Sequence, residues 1–229
     1  MLTFDDIRFS YGSFTLSADM SIAPCSRTAV LGPSGEGKST LLSLVAGFIS
    51  PEQGAVRWQG TDLTPQRPGE RPVSIVFQDS NLFPHLTVTQ NVGMGLSPNL
   101  RLSQAQSAQL AAVLDQVGLA DYGDRKPGAL SGGQRARAAL ARVLLRERPI
   151  LLLDEAFSAL GPALKAEMFD LMEETLPPET ILLMVTHDPD EAARMDQIIV
   201  VSGGQADAPQ DTAPLLANPP PALASYLGK

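Results

Sequence analysis

Cysteine is almost absent from this chain: Cys25 is the only one in 229 residues, so no disulfide can form within it. Histidine is nearly as scarce, with His85 and His187 alone, and no Cys/His spacing of the kind that holds zinc occurs. A disulfide-stapled secreted domain is thereby excluded, and a reducing compartment fits. Basic charge is also short: 17 Lys and Arg stand against 25 Asp and Glu, with a pI near 4.7. Such a surface does not dock broadly on nucleic acid or on anionic lipid. No apolar run approaches the roughly 18 residues of a membrane span. The start, Met1-Leu2-Thr3-Phe4-Asp5-Asp6, has neither the basic nor the apolar region of a signal peptide. A soluble cytosolic protein is expected, reaching membranes only through partners.

What is present is a core and a phosphate loop. Hydrophobic residues make up 44% of the chain, ample for burial. The stretch Gly32-Pro33-Ser34-Gly35-Glu36-Gly37-Lys38-Ser39-Thr40 fits G-x-x-x-x-G-K-[ST]. An apolar run, Thr28–Leu31, precedes it and a helix-like run, Leu41–Ala46, follows it, which is the strand, loop and helix setting the motif requires. Its glycines let backbone N–H groups turn inward toward phosphate oxygens, and the following helix adds the positive end of its dipole. Lys38 is placed to bridge the outer phosphates, and the Ser39 hydroxyl to ligate magnesium. ATP and Mg2+ are the expected ligands, although this motif alone leaves kinases, GTPases and motors open.

Two downstream stretches narrow that choice. Ile150-Leu151-Leu152-Leu153-Asp154-Glu155 reads as a buried parallel strand, so both carboxylates emerge at its C-terminal end, where α/β sheets bind ligands. Asp154 can hold the magnesium, directly or through water, and Glu155 can orient and polarise the attacking water. Leu130-Ser131-Gly132-Gly133-Gln134, followed by apolar positions Ala136, Leu140, Val143 and Leu144, reads as a glycine-opened helix start, which can serve as a second anion site but taken alone is an ordinary cap.

Strand-like runs at Thr28–Leu31, Val73–Phe77, Ile150–Leu153, Ile181–Val185 and Ile198–Val201 alternate with helical ones, an α/β pattern with a mainly parallel sheet. Shorter runs around Leu2–Phe4, Phe14–Leu16 and Val56–Trp58 suggest a small antiparallel sheet. Between His85 and Arg148 no strand pattern occurs; Ser103 and Gln106 form a capping box, and Gly118 ends the helix they open. Asp188, Pro189 and Glu191 start a late helix. A nucleotide-binding core of residues 1–84 and 149–229 is expected, with an inserted helical subdomain over 85–148. After Gly203-Gly204 the tail, rich in Ala and Pro, is expected to pack loosely and to hold no regulatory domain.

In this order, the phosphate loop, Leu130-Ser131-Gly132-Gly133-Gln134 and Asp154-Glu155 resemble the ATP-binding cassette (ABC) ATPases over essentially the whole chain. The resemblance implies a P-loop NTPase fold with a RecA-like sheet, an antiparallel β subdomain and a helical subdomain carrying the signature. It implies roles for further residues. Tyr11 is similar to the aromatic that stacks on adenine, Gln78 to the glutamine that touches magnesium and relays movement, and His187 to the switch histidine that contacts the γ-phosphate and water. Gly32, Pro33, Ser34, Gly35, Gly37, Lys38, Ser39 and Thr40 would bind nucleotide. Ser131, Gly133 and Gln134 would close the site from a second copy of the chain, arranged head to tail. Three positions depart from the pattern: Gly161 stands where aspartate is usual, Glu36 puts a carboxylate in the phosphate loop and is expected to point away from the nucleotide, and Ala156 replaces a frequent proline.

The segments Glu70–Gln78, Asn81–Val88 and Asn91–Leu96 resemble those of bacterial importer ATPases, which implies an integral membrane permease docking near Phe83 and Leu86. A periplasmic solute-binding protein would be an indirect partner, and the chain would lie peripherally on the cytoplasmic face of the inner membrane. Among importers the pattern from Arg71 to Leu100, with Leu182-Leu183-Met184-Val185, is most similar to ATPases of thiamine import; iron(III), spermidine and sulfate are the alternative cargoes. A soluble ABC ATPase of DNA repair or translation is the reading from another class, opposed by the acidic balance. A GTPase lacks its Asn-Lys-x-Asp motif here, and a small-molecule kinase has no use for the signature.

Overall fold

The computed structural model describes residues Met1 to Tyr226. In chain order the elements are β1 (Leu2–Tyr11), β2 (Phe14–Ile22), β3 (Arg27–Leu31), α1 (Lys38–Ala46), β4 (Gln53–Trp58), β5 (Thr61–Asp62), β6 (Val73–Phe77), α2 (Val88–Gly93), α3 (Gln104–Gln116) and α4 (Gly132–Leu144). There follow β7 (Ile150–Asp154), α5 (Pro162–Thr175), β8 (Ile181–Val185), α6 (Pro189–Ala193), β9 (Gln197–Ser202), β10 (Gln205–Ala206), β11 (Gln210–Asp211), α7 (Thr212–Ala217) and α8 (Pro221–Tyr226). Two compact units result. The first comprises Met1–Val73, Pro149–Asp154 and the chain from Glu179 on; the second comprises Ser74–Arg148 and Glu155–Pro178.

In the first unit the strands run β5-β4-β1-β2-β10-β9-β3-β8-β7 across one mixed sheet. The members β7, β8, β3 and β9 are mutually parallel. Their sequences are continuous apolar runs, and every residue of β8 is buried, as expected of strands covered on both faces. The antiparallel pair β1·β2 instead mixes buried and open positions, which alternate along β2, while β1 also pairs with β4. Phe4 and Ile7, three residues apart, would face opposite sides of a regular strand. A register shift between them brings both inward, at 0% and 1% exposure.

The tail departs from expectation. Far from packing loosely, Gln205–Ala206 pairs with both β2 and β9 and so joins the antiparallel strands to the parallel set. Beyond it β11 pairs with β9, and Leu215 and Leu223 are buried at 6% and 1% exposure. Alanine and proline dominate the composition, but a few leucines at spaced positions suffice to dock short helices. Each fully buried leucine contributes about 1.5–3 kcal/mol.

The second unit is built on α2, α3, α4 and α5. Val88, Val92, Leu110, Leu114, Val117, Leu119, Leu130, Ala138, Ala141 and Leu145 form its core. Each of α2, α3 and α4 opens with a capping box, made by Thr87 and Gln90, Ser103 and Gln106, and Ser131 and Gln134. The middle one is the box legible in the sequence, and Gly118, at φ 68°, takes the left-handed position after α3 that only glycine adopts without strain.

Candidate functional site

Parallel strands end level in the first unit, and that places the chemistry. Val30 of β3 pairs with Val185 of β8, and Val185 pairs with Asp154 of β7. The residues just past those positions are the phosphate loop after β3 and His187 after β8; Asp154 itself closes β7. One edge of the sheet therefore gathers Gly32–Thr40, Asp154 and His187, at the carboxyl ends of the strands.

The loop is shaped by backbone. Gly37 sits at φ 106° immediately before α1, and a side chain there would be both strained and 2.8 Å from the Phe14 ring. Pro33, Ser34 and Gly35 span the turn, with Ser34 and Gly35 exposed. Lys38, buried at 8% exposure, donates from Nζ to the carbonyls of Gly32 at 2.8 Å and Pro33 at 2.9 Å. Ser39 and Thr40 complete the first turn of α1, and the Ser39 hydroxyl donates to Asp154 Oδ1 at 2.9 Å. These two oxygens are hard donors of the kind magnesium selects, one hydroxyl and one carboxylate, side by side at the positive end of a helix. The donor set fits Mg2+, and the glycine loop fits a polyphosphate. The Glu36 carboxylate is engaged by the backbone N–H of Gly204 at 3.3 Å, across from the loop on the turn after β9. Tyr11 ends β1 with 81% of its surface exposed, an aromatic face open to a stacking partner.

The second unit holds the remaining predicted residues. Gln78 is exposed directly after β6. Ser131 caps α4: its Oγ accepts from the Gln134 backbone N–H at 3.2 Å while Gln134 Oε1 accepts from the Ser131 N–H at 2.9 Å. Gly133 is buried at the second helical position, where a side chain would come within 3.2 Å of Leu164 in the first turn of α5. Glu155 adopts a left-handed backbone at φ 49°, a conformation that costs a non-glycine residue on the order of 1–3 kcal/mol and clusters at functional positions. A turn holds it there: its carbonyl accepts from the Ser158 N–H at 3.1 Å and from Ser158 Oγ at 2.9 Å. Gly161 has φ −71°, needs no glycine-specific conformation, and leaves open space around an added side chain.

Three features went unread in the sequence. The S-x-x-Q spacing of Ser131 and Gln134 is the same capping signal that marks Ser103 and Gln106, hidden here by the glycines between. Arg71, at 1% exposure, donates to the carbonyls of Leu44 and Val45 at the end of α1 and to those of Thr64 and Gln66. Burial lowers its pKa, opposed by the Asp62 carboxylate. Arg142 of α4 donates to the carbonyls of Ser80 and Asn81, two residues with left-handed backbones just after Gln78. No pattern in the sequence distinguishes either arginine from a solvated one.

Comparison with known proteins identifies the family. The family model described as ABC transporter matches residues 16–158. The Thiamine import ATP-binding protein ThiQ of Cereibacter sphaeroides is 58% identical over 231 aligned positions, covering 100% of both chains. Among solved structures, a dimeric post-hydrolysis state of the ATP-binding cassette MJ0796 bound to ADP and Pi is similar at TM-score 0.79 and 26% identity, over 93% of this chain and 99% of that one. The protein cbiO1 from Clostridium perfringens, part of the ABC transporter complex cbiONQ, is similar at TM-score 0.82 and 27% identity, over 95% and 90% of the two chains. With its glycine loop, its Ser39–Asp154 pair and its capped signature helix in one α/β chain, this protein belongs to the ABC transporter family.

Proposed function

We propose that this chain is the ATP-hydrolysing subunit of a bacterial importer for thiamine. The observation that carries the ATPase reading is the Ser39 hydroxyl against the Asp154 carboxylate, at the mouth of a loop whose N–H groups and Lys38 suit phosphate oxygens. The thiamine reading rests on whole-length identity to a protein named for thiamine import.

On this reading residues 1–84 and 149–229 form the nucleotide-binding core and 85–148 the helical subdomain. Tyr11 stacks on the adenine. The loop from Gly32 to Thr40 holds the phosphates, and Lys38 exchanges its bonds to the Gly32 and Pro33 carbonyls for phosphate oxygens. Ser39, Asp154 and Gln78 would hold Mg2+, which supplies charge neutralisation on the outer phosphates. Glu155 accepts a proton from the attacking water and aligns it, while His187 contacts the γ-phosphate. Ser131, Gly133 and Gln134 of a second copy approach the γ-phosphate from the far side, the helix N-terminus stabilising charge that shifts during transfer. Two copies bind head to tail around ATP and separate after hydrolysis. A permease turns that cycle into import, fed by a periplasmic binding protein, with this chain peripheral on the cytoplasmic face. The ADP- and Pi-bound dimer of MJ0796 and the place of cbiO1 in a transporter complex support the dimer and the membrane partner.

Phosphate release by the purified chain tests the site. With magnesium the parent turns over; Ser39→Ala is expected to lower kcat by about 100-fold or more, as loss of an oxygen next to transferring phosphates does. Turnover of Ser39→Ala at the parent rate would contradict the assignment.

A further inference from the structure

We infer that Glu191 is a positioning residue for His187, acting through the hydroxyl of Thr186. The inference rests on the reading of His187 as the residue that meets the γ-phosphate.

The geometry is local to the end of β8. Thr186 is 2% exposed and its backbone N–H donates to Val30 of β3 at 3.4 Å, so the residue before His187 is anchored to the sheet. Its hydroxyl has one proton, which it donates to Glu191 Oε2. The Thr186 hydroxyl oxygen in turn accepts from the backbone N–H of Asp188 at 3.0 Å. The residues on either side of His187 are therefore stapled to one oxygen, and that oxygen is oriented by Glu191. His187 itself is exposed at the tip of the staple.

A carboxylate at 6% exposure demands an explanation, since burying one is costly unless it is hydrogen-bonded. Helix capping does not supply it. The N-cap of α6 is Asp188, whose Oδ1 accepts from the Asp190 N–H at 3.0 Å. Glu191 instead reaches back across the turn to fix which way the Thr186 hydroxyl points. With its proton committed to Glu191, that hydroxyl presents a lone pair to the Asp188 N–H, and the loop has one conformation in place of several. The catalytic consequence is pre-organisation: His187 is delivered to its contact already oriented.

The test is a double-mutant cycle on the full chain, read by single-turnover phosphate release and ATP affinity. Glu191→Ala is expected to slow turnover about tenfold, with ATP affinity within about twofold of the parent, and to add nothing in a His187→Ala background. Thr186→Val should match Glu191→Ala, and Thr186→Ser, which restores the hydroxyl, should recover most of the rate. Only two histidines are present, so the imidazole NMR signals of His187 can be followed directly. In folded Glu191→Ala they should shift and broaden while those of His85 stay in place. Independent, multiplying losses from Glu191→Ala and His187→Ala, or an unchanged His187 signal, would overturn the inference and leave the reading of His187 intact. Parent-like turnover by His187→Ala would overturn that reading and the inference with it.

Discussion

Single residues set how well the site works, and Gly161 is the most informative of them. It is the N-cap of α5 yet brings no side chain to the task, so no side-chain oxygen caps the first turn of that helix. Its extended backbone, at φ −71° and ψ 161°, is the conformation that Asp favours at an N-cap. Gly161→Asp, the residue usual in the family, is therefore expected to stabilise the fold by a few tenths to about 1 kcal/mol, seen as a rise of about 1–4 °C in thermal melting. A lower Tm would show that the space around Gly161 is not what the structure indicates. Glu36 places a carboxylate in the phosphate loop, and the sequence predicts that it points away from the nucleotide. Its carboxylate accepts from the Gly204 N–H, in the turn after β9.

At the scale of elements, α1 is the helix that follows the phosphate loop, and its C-terminal end is unusually well secured. Gly47 takes a left-handed conformation at φ 81°, and an added side chain there would lie 2.4 Å from Arg71 Nε. The absence of one makes room for the guanidinium, which donates to Leu44 O at 2.6 Å and Val45 O at 2.9 Å. A positive charge thus meets the negative end of the helix dipole in a buried setting. Arg71→Met removes the charge and keeps much of the volume, but leaves four carbonyl bonds unmade; a loss of about 3 kcal/mol in urea unfolding is expected. An unchanged midpoint would contradict this. Such a residue is illegible in sequence because its partners are backbone carbonyls, which carry no side-chain signature. The strands and the α3 capping box were legible for the opposite reason: apolar period and S-x-x-Q spacing are written in side chains. The tail fell between the two, since β10 and β11 have two residues each, too few to show a period, and β10 pairs with β2 far away in the chain.

For the whole molecule, the central claim is that one chain holds half of each ATP site and that closure of two copies drives transport. The phosphate loop and the signature lie in different compact units, and on the proposed mechanism each meets its counterpart on a second copy. Glu155→Gln removes the carboxylate proposed to accept the water's proton and preserves its shape, and is expected to accumulate an ATP-bound dimer visible by size-exclusion chromatography. A variant that hydrolyses ATP at the parent rate would sink that role. The reach of the sequence was greatest here: motif order and chain-wide pattern pointed to an ABC ATPase, and the family assignment agrees. The cargo is the part that no residue of this chain contacts on the proposed mechanism, so its test lies with the complex. The most direct measurement is ATPase activity of the detergent-solubilised assembly purified through this chain with its membrane partner, with thiamine-loaded or empty binding protein added. Stimulation by the thiamine-loaded form is predicted. Purification of an active ATPase with no integral membrane partner, or an assembly indifferent to thiamine-loaded binding protein, would contradict the account.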